Sequence, residues 1–394
     1  MALPYSRYRV QIDAVLTEHI LEGIRSRAAG FDERNEFPYQ DLEVLKETGY
    51  LAALTPVEDG GLGWNFAAVV DAQKTLAGYA PATALAVNMH LIWSGVAAIF
   101  RAHGNHDLDF ILREAAAGQV YAFGISEAGN DAVLFDSNTT AEDQPDGSVK
   151  FTGKKIFTTL SPVWTQLGIF GKTPDGSELV YAILDRDEGN TISDGSHWDM
   201  LGMRATHSFV TTLDGAVVPA DRIIRRIPTG PNQDLLTFGI FASFLTFTSS
   251  VYAGIGDRAV EIAAEKLHSR KSKVHGTALS QDPILRYKHG EAILRQMTQD
   301  QQITGLAEAV TNLTDYGAEW FTRLVANKIS AIRVAKAQVD YAFEASGGAG
   351  YHRSEEIARL YRDVMAGVYH PSDDESAHTT FATFGLGPLE QHRD

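Results

Sequence analysis

The sequence predicts an α+β fold, mainly α, in three parts. These are an N-terminal helical domain over residues 1–117, a middle antiparallel β domain over 118–228 and a C-terminal four-helix bundle over 229–394. Three observations carry this reading. Apolar residues recur at helical spacing up to about Ala117. From Val120 to about Ile227 the pattern changes to short β-type runs with Asp-Gly turn signals. After Pro228 and Pro231 long helical patterns return with modest connections, as in an antiparallel bundle.

In the first part, Ile12, Val15, Leu16, Ile20 and Ile24 form one apolar stripe, and Leu42, Leu45 and Leu51 give another around Gly49. Residues 54–63 form a loop by their Pro and Gly content. Residues 66–90 read as one alanine-rich helix ending at His90, which in so apolar a setting reads first as a core residue. In the second part, strands are expected at residues 121–125, 167–170, 179–184 and 209–218, with turns at Gly147, Gly176, Gly195 and Gly215. No Gly-x-Gly-x-x-Gly lies between a strand and a helix, which argues against a Rossmann site.

In the third part, helices are expected at residues 235–268, 282–317 and 320–345. A glycine break, Gly347-Gly348-Ala349-Gly350, precedes the fourth. Ser354 suits its N-cap. Ile357, Leu360, Tyr361, Val364, Met365 and Val368 make one buried face, and Pro371 stops it before an acidic loop over 372–375. Glycines let phosphates approach backbone N–H groups, and the far end gathers titratable groups suited to acid–base chemistry.

Composition narrows the function. Hydrophobic residues make up 44% of the 394, enough for a sizeable core. A net charge of −16 argues against nucleic acid or an acidic membrane surface as the main partner. The absence of cysteine excludes disulfides, thiolate metal sites and cysteine nucleophiles. The first nine residues lack the apolar core of a signal peptide, so a cytoplasmic location is expected. Residues 235–256 carry no charge over 22 positions, long enough to span a bilayer. Thr237, Ser243, Thr246, Thr248, Ser249 and Ser250 within them favour a helix buried in a bundle or subunit interface, with no membrane span.

The layout of helices, β domain and four-helix bundle, with several local motifs, resembles the acyl-CoA dehydrogenase family over nearly the whole chain. Pro56-Val57-Glu58-Asp59-Gly60-Gly61-Leu62-Gly63 is similar to its first-domain loop. Gly124-Ile125-Ser126-Glu127-Ala128-Gly129-Asn130-Asp131 is similar to its flavin-side strand and loop, one residue shorter than usual. Gly153-Lys154-Lys155-Ile156-Phe157-Thr158-Thr159 resembles the strand beside the isoalloxazine. Gly202-Met203-Arg204-Ala205-Thr206 and Asp214 to Ala220 resemble the end of the β domain, and Gly347 to Tyr351 with Tyr361-Arg362-Asp363 the bundle motifs.

The resemblance implies FAD as cofactor, or FMN if the chemistry is that of a monooxygenase. Phe157 would lie against one face of the ring. Ile125 and Ser126, with the hydroxyls of Ser126 and Thr159, would bond its polar edge, with Phe123 and Thr158 from the same two segments nearby. Arg270 would reach the FAD diphosphate of a neighbouring subunit, whose adenylate half Glu344, Gly347 and Gly348 would hold. Ser372 would replace a threonine near the ring. A homodimer or homotetramer, an acyl-CoA or related small-molecule substrate, and an electron-transfer protein or other acceptor follow as expected partners.

The pattern fails at the catalytic base. The family removes the substrate's α-proton with a glutamate in a Tyr-Glu-Gly-Thr pattern. Here the sequence is Tyr369-His370-Pro371-Ser372-Asp373-Asp374, and His370 falls on the glutamate's position. The alternative base position, in residues 241–247, has no acid, and Leu245 falls near the place of an arginine that commonly contacts coenzyme A. His370, with neighbouring acids tending to hold it protonated, and Asp373, with Asp374 or Glu375 as further acids that a refolded loop would bring in, are the candidates for catalysis. The first reading is therefore an acyl-CoA dehydrogenase, acting on a CH–CH bond in lipid metabolism, with a non-standard base. The second is a two-component flavin-dependent monooxygenase on the same fold, with His90, Asn130 and His370 as pocket residues. The third is a catalytically inactive flavoprotein subunit.

Overall fold

The computed structural model describes residues 6–186 and 190–389. Helices α1 (Arg9–Val15), α2 (Glu18–Arg34), α3 (Tyr39–Glu47), α4 (Phe66–Ala77), α5 (Pro81–Ala102) and α6 (Asp109–Ala116) form the first part. The apolar stripe from Ile12 to Ile24 is divided between α1 and α2, because Thr17 leaves the helix to accept the N–H of Ile20 as an N-cap. The single helix expected over 66–90 is likewise two. Asn65 caps α4, which ends at Gly78, and Pro81 opens α5 at a position where its missing N–H costs nothing.

The middle part is one sheet of strands β1 (Tyr121–Gly124), β2 (Thr140–Asp143), β3 (Val149–Thr158), β4 (Gln166–Lys172), β5 (Glu178–Asp185), β6 (Thr191–Asp194), β7 (Phe209–Val218) and β8 (Ile223–Pro228). Its order is β6-β7-β3-β2-β4-β5-β8, with β1 beside β4. Pairing is mainly antiparallel, as the Asp-Gly turns imply. The exceptions are β1, parallel to β4, and a single parallel contact of Thr140 with Lys172. Gly215 does not end a strand. It sits at φ +70° inside β7, where the register against β3 shifts at Phe151 and Thr152.

Helices α7 (Leu235–Ser269), α8 (Pro283–Thr311) and α9 (Glu319–Ser346) are the long members of the C-terminal bundle. The fourth is not a continuous helix. It breaks into α10 (Glu356–Val364), a 3₁₀ turn over Met365–Tyr369 and α11 (Asp374–Leu386). Glu355, not Ser354, occupies the N-cap of α10, without a side-chain cap bond. The expected acidic loop is the start of α11. Asp373 caps it through the N–H of Ser376, and Asp374 and Glu375 lie in its first turn, where helix polarity favours carboxylates.

Among the described residues, α5 and α7 are long and apolar enough to cross a membrane, but both are mostly buried within the fold. They pack on each other, and α5 also covers the sheet. Trp93 of α5 lies over Gly168 of β4, where an added Cβ would come within 2.0 Å of the indole, and its Nε1 donates to the carbonyl of Ala122 at 3.1 Å. This docking brings α5, α7 and the ends of β1 and β3 to one place.

Candidate active-site cleft

A cavity of about 360 Å³ opens there. Its walls include Phe123, Ile125, Ser126, Asn130, Phe157 and Thr159 from the sheet, Met89 from α5, Phe244 from α7, and His370 from beyond the 3₁₀ turn. Most sequence-predicted residues of the β side and His370 thus share one cleft. A larger cavity of about 560 Å³, between α4 and α8, contains none of them.

The cleft wall depends on a bulge. The register between β3 and β7 shifts between Lys155 and Thr158, and Phe157 adopts φ +53°. An extra residue in one strand bends it and re-aims a side chain. Phe157 is 55% exposed, although its strand is in the sheet interior. A flat, largely uncovered aromatic surface therefore lines the cleft. Thr159 is buried, and its Oγ1 lies 2.7 Å from Ser208 Oγ, which meets Thr206 Oγ1 at 2.9 Å. Thr206 Oγ1 donates to the carbonyl of Met203, whose N–H in turn donates to Asp363 of α10 at 2.6 Å. This chain of bonds ties the cleft to the bundle.

Beneath the floor lies a buried ion pair. Lys155 Nζ is 2.6 Å from Glu127 Oε1 and also donates to the carbonyl of Phe170. Ser137 and Thr139 hydroxyls and the N–H of Asn138 donate to the same carboxylate. Burial works against the charge of Glu127, but the Lys155 ammonium and these donors hold its pKa down to about 2. Burial draws Lys155 down to about 8, with Glu127 opposing it. The Asn130 amide donates to Glu127, Val133 and Asp136, so although Asn130 lines the cleft its amide nitrogen serves to staple the 127–136 loop.

His370 is not held protonated by acids. Its Nε2 lies 2.8 Å from the Tyr252 hydroxyl, and burial, helped by the Lys328 charge, lowers its pKa to about 3. Lys328 Nζ donates to the carbonyls of His370 and Ser372 at 2.7 and 2.6 Å, pinning the chain on both sides of Pro371. The expected acids point elsewhere: Asp373 is spent on its cap, and Asp374 pairs with Arg333. Among the described cleft-lining residues the one carboxylate is Glu127, and the one Arg or Lys is Arg362, which grips Asp32 through two guanidinium nitrogens.

Several expected residues lie outside the cleft. His90 is fully buried, with Nε2 donating to the carbonyl of Leu51 and Nδ1 accepting the N–H of Tyr121. It is a fastener between α5, β1 and the 50–52 turn, and its neighbour Met89 lines the cavity instead. Thr158 is fully buried and is not among the residues that line the cleft. Its hydroxyl is buried without a partner. Ser372 turns to Ser376, 2.9 Å between hydroxyls, and Asp373 faces solvent. Arg270, Glu344, Gly347 and Gly348 sit where α7 ends and α9 turns, away from the cavity. There Arg270 donates to its own chain's Ala345 carbonyl and Glu344 pairs with Lys288.

The family model described as acyl-CoA dehydrogenase, C-terminal domain, matches residues 246–374, the stretch from α7 through the His370 turn. Residues 246–374 belong to the acyl-CoA dehydrogenase-like family, and the whole chain shares its fold. Within it, the chain is similar to L-evernosamine nitrososynthase of a Micromonospora strain, 26% identical over 89% of this chain and 84% of that protein. It is also similar to dibenzothiophene monooxygenase of Mycolicibacterium goodii, 23% identical over 84% and 83% of the two. The structure of KijD3 in complex with FMN and a dTDP-linked amino sugar superposes with a TM-score of 0.82 at 25% identity, covering 100% of this chain and 97% of that one.

Tyr252, Lys328, Phe244 and Lys155 were not among the residues expected in the acyl-CoA dehydrogenase-like site. Tyr252 and Phe244 sit in the uncharged run of α7, where a site residue follows the same apolar pattern as the core. Lys155 had a signal: a lysine beside Ile156 and Phe157 in a strand is costly to bury without a carboxylate such as Glu127 nearby.

Proposed function

We propose that this protein is a flavin-dependent monooxygenase that works on reduced FMN delivered by a partner reductase. The observation that carries the reading is His370: a neutral imidazole, hydrogen-bonded to Tyr252, stands where α,β-desaturation of a thioester requires a carboxylate base. Glu127 offers no substitute, since Lys155 and four further hydrogen bonds from Ser137, Asn138 and Thr139 occupy it.

The residues present fit a flavin ring. Phe157 offers a largely uncovered aromatic face, and the cleft between it and Phe244 is mostly apolar. A reduced flavin bound there would supply the electrons that activate dioxygen. Around it, Ile125, Phe123 and Met89 exclude water, Thr159 and Ser208 present hydroxyls to the ring edge, and His370 offers a ring nitrogen to the reacting oxygen. FMN is favoured over FAD because the structurally similar KijD3 holds FMN. The lining is apolar and Arg362 is paired, which favours an uncharged, largely apolar substrate over an acyl-CoA. A homodimer or homotetramer remains part of the proposal; light scattering tests it, and a monomer would contradict it.

The test mixes purified protein, FMN, a flavin reductase and NADH in air with indole and a panel of primary amines, and seeks oxygen uptake coupled to a product one oxygen heavier. Anaerobic bleaching of bound flavin by any acyl-CoA, with no oxygenated product from the panel, would overturn the reading in favour of the dehydrogenase.

A further inference from the structure

His370 is useful only if the correct nitrogen carries its proton, and the structure contains a device that sets this. Tyr252 is fully buried on α7, and its hydroxyl lies 2.8 Å from His370 Nε2, the rings 5.6 Å apart and inclined by 59°. Among the described residues no other hydrogen bond reaches that hydroxyl, and none reaches Nδ1 of His370. The phenol has one proton and the neutral imidazole has one. If Nε2 donated to the phenol oxygen, the phenol proton would be left without an acceptor in a dry site, a cost of about 1–3 kcal/mol. If the phenol donates, every polar atom on the buried side is satisfied. Nε2 is then the acceptor and the ring's own proton resides on Nδ1.

The seat is built to hold this pair. Gly367 in the 3₁₀ turn lies over the Tyr252 ring, where an added Cβ would be 2.9 Å from a ring carbon and 3.0 Å from Ile332. Only a residue without a Cβ lets the turn settle low enough for His370 to meet the hydroxyl. Lys328 fixes the backbone on either side of Pro371. Phe244 meets the imidazole edge-on, the centroids 6.2 Å apart at 74°.

We infer that Tyr252 is a positioning residue that locks His370 in its Nδ1-protonated form, making the group offered to the cleft a hydrogen-bond donor and not a base. Burial keeps the Tyr252 proton on, with a pKa well above the ordinary phenol value. The role in catalysis rests on the monooxygenase reading: a fixed N–H donor stabilises negative charge developing on oxygen, whereas desaturation needs a proton acceptor. The tautomer itself does not rest on that reading.

The experiment is ¹⁵N spectroscopy of full-length protein labelled at histidine, with His370→Ala assigning the His370 signals. The expected wild-type spectrum has a pyrrole-type Nδ1 and a pyridine-type Nε2 for His370, unchanged from pH 8 down to pH 5. In Tyr252→Phe, which keeps the ring, those signals move toward a mixture of tautomers while the other histidine signals hold and the melting temperature falls by no more than a few degrees. A wild-type His370 protonated on Nε2, or a Tyr252→Phe spectrum indistinguishable from wild type, would overturn the inference. The wild-type measurement needs no variant, so a misfolded substitution does not rescue the idea. Neither measurement needs turnover, so failure of the oxygenation assay leaves this test intact.

Discussion

Nζ of Lys155 lies 2.6 Å from Oε1 of Glu127, and neither side chain reaches solvent. The pair sits immediately under the bulge that presents Phe157. Removing one partner leaves a buried charge unmatched, a loss of about 3–5 kcal/mol. Lys155→Met is therefore expected to lower the urea midpoint sharply, and the double variant with Glu127→Gln to recover much of the loss. If the single and double variants melt alike, the pair is not what supports this floor.

Buried histidines make the fold sensitive to acid. His90 is held at about 4 against an ordinary 6.5, first by burial. Its folded pKa is depressed, so the unfolded chain takes up the proton first as pH falls. Stability present above pH 6.5 is lost as the pH drops toward 4, on the order of 3 kcal/mol for this group. His90→Gln should cost about 1–3 kcal/mol at pH 7 through its two hydrogen bonds, yet flatten the decline between pH 6.5 and 4. Denaturant titrations at pH 7.5 and 5 measure both effects. Turnover per folded molecule should stay unchanged, which separates a fastener from a cleft residue.

Phe157 is expected to matter for the cofactor and little for the fold. More than half of its surface is exposed, so Phe157→Ala should alter stability by no more than about 0.5 kcal/mol. Loss of the aromatic face should weaken FMN binding about tenfold, read from quenching of flavin fluorescence. Full retention of FMN affinity would place the ring elsewhere in the cavity.

The order of helices, sheet and bundle was legible because it rests on periodicity, and the long helices α7 and α9 begin and end within a residue or two of their expected places. The weaker strands were not. β6 and β8 are short or charged, and their pairing is decided by β7 and β5 beside them. The fourth bundle helix was over-extended because Met365 and Val368 continue the apolar spacing, while Gly367 and the fit over Tyr252 break it into a turn. On the β side the motif segments lead to the cleft, except that Thr158, beside the bulge, is buried away from it. The His370 environment differs from the expectation for a geometric reason. Asp373 and Asp374 are adjacent in sequence, but the start of α11 carries them outward, and the partner that counts comes from 118 residues earlier.

The concealment of α7 has a consequence for how the chain can be divided. Its uncharged half is wrapped by α5, which is made about 150 residues earlier, and by α4. A fragment beginning at the bundle would carry that surface bare into water, where it would self-associate or be taken up by a bilayer. The three-part layout therefore describes architecture and not separable modules: the bundle requires the opening helices as its coat.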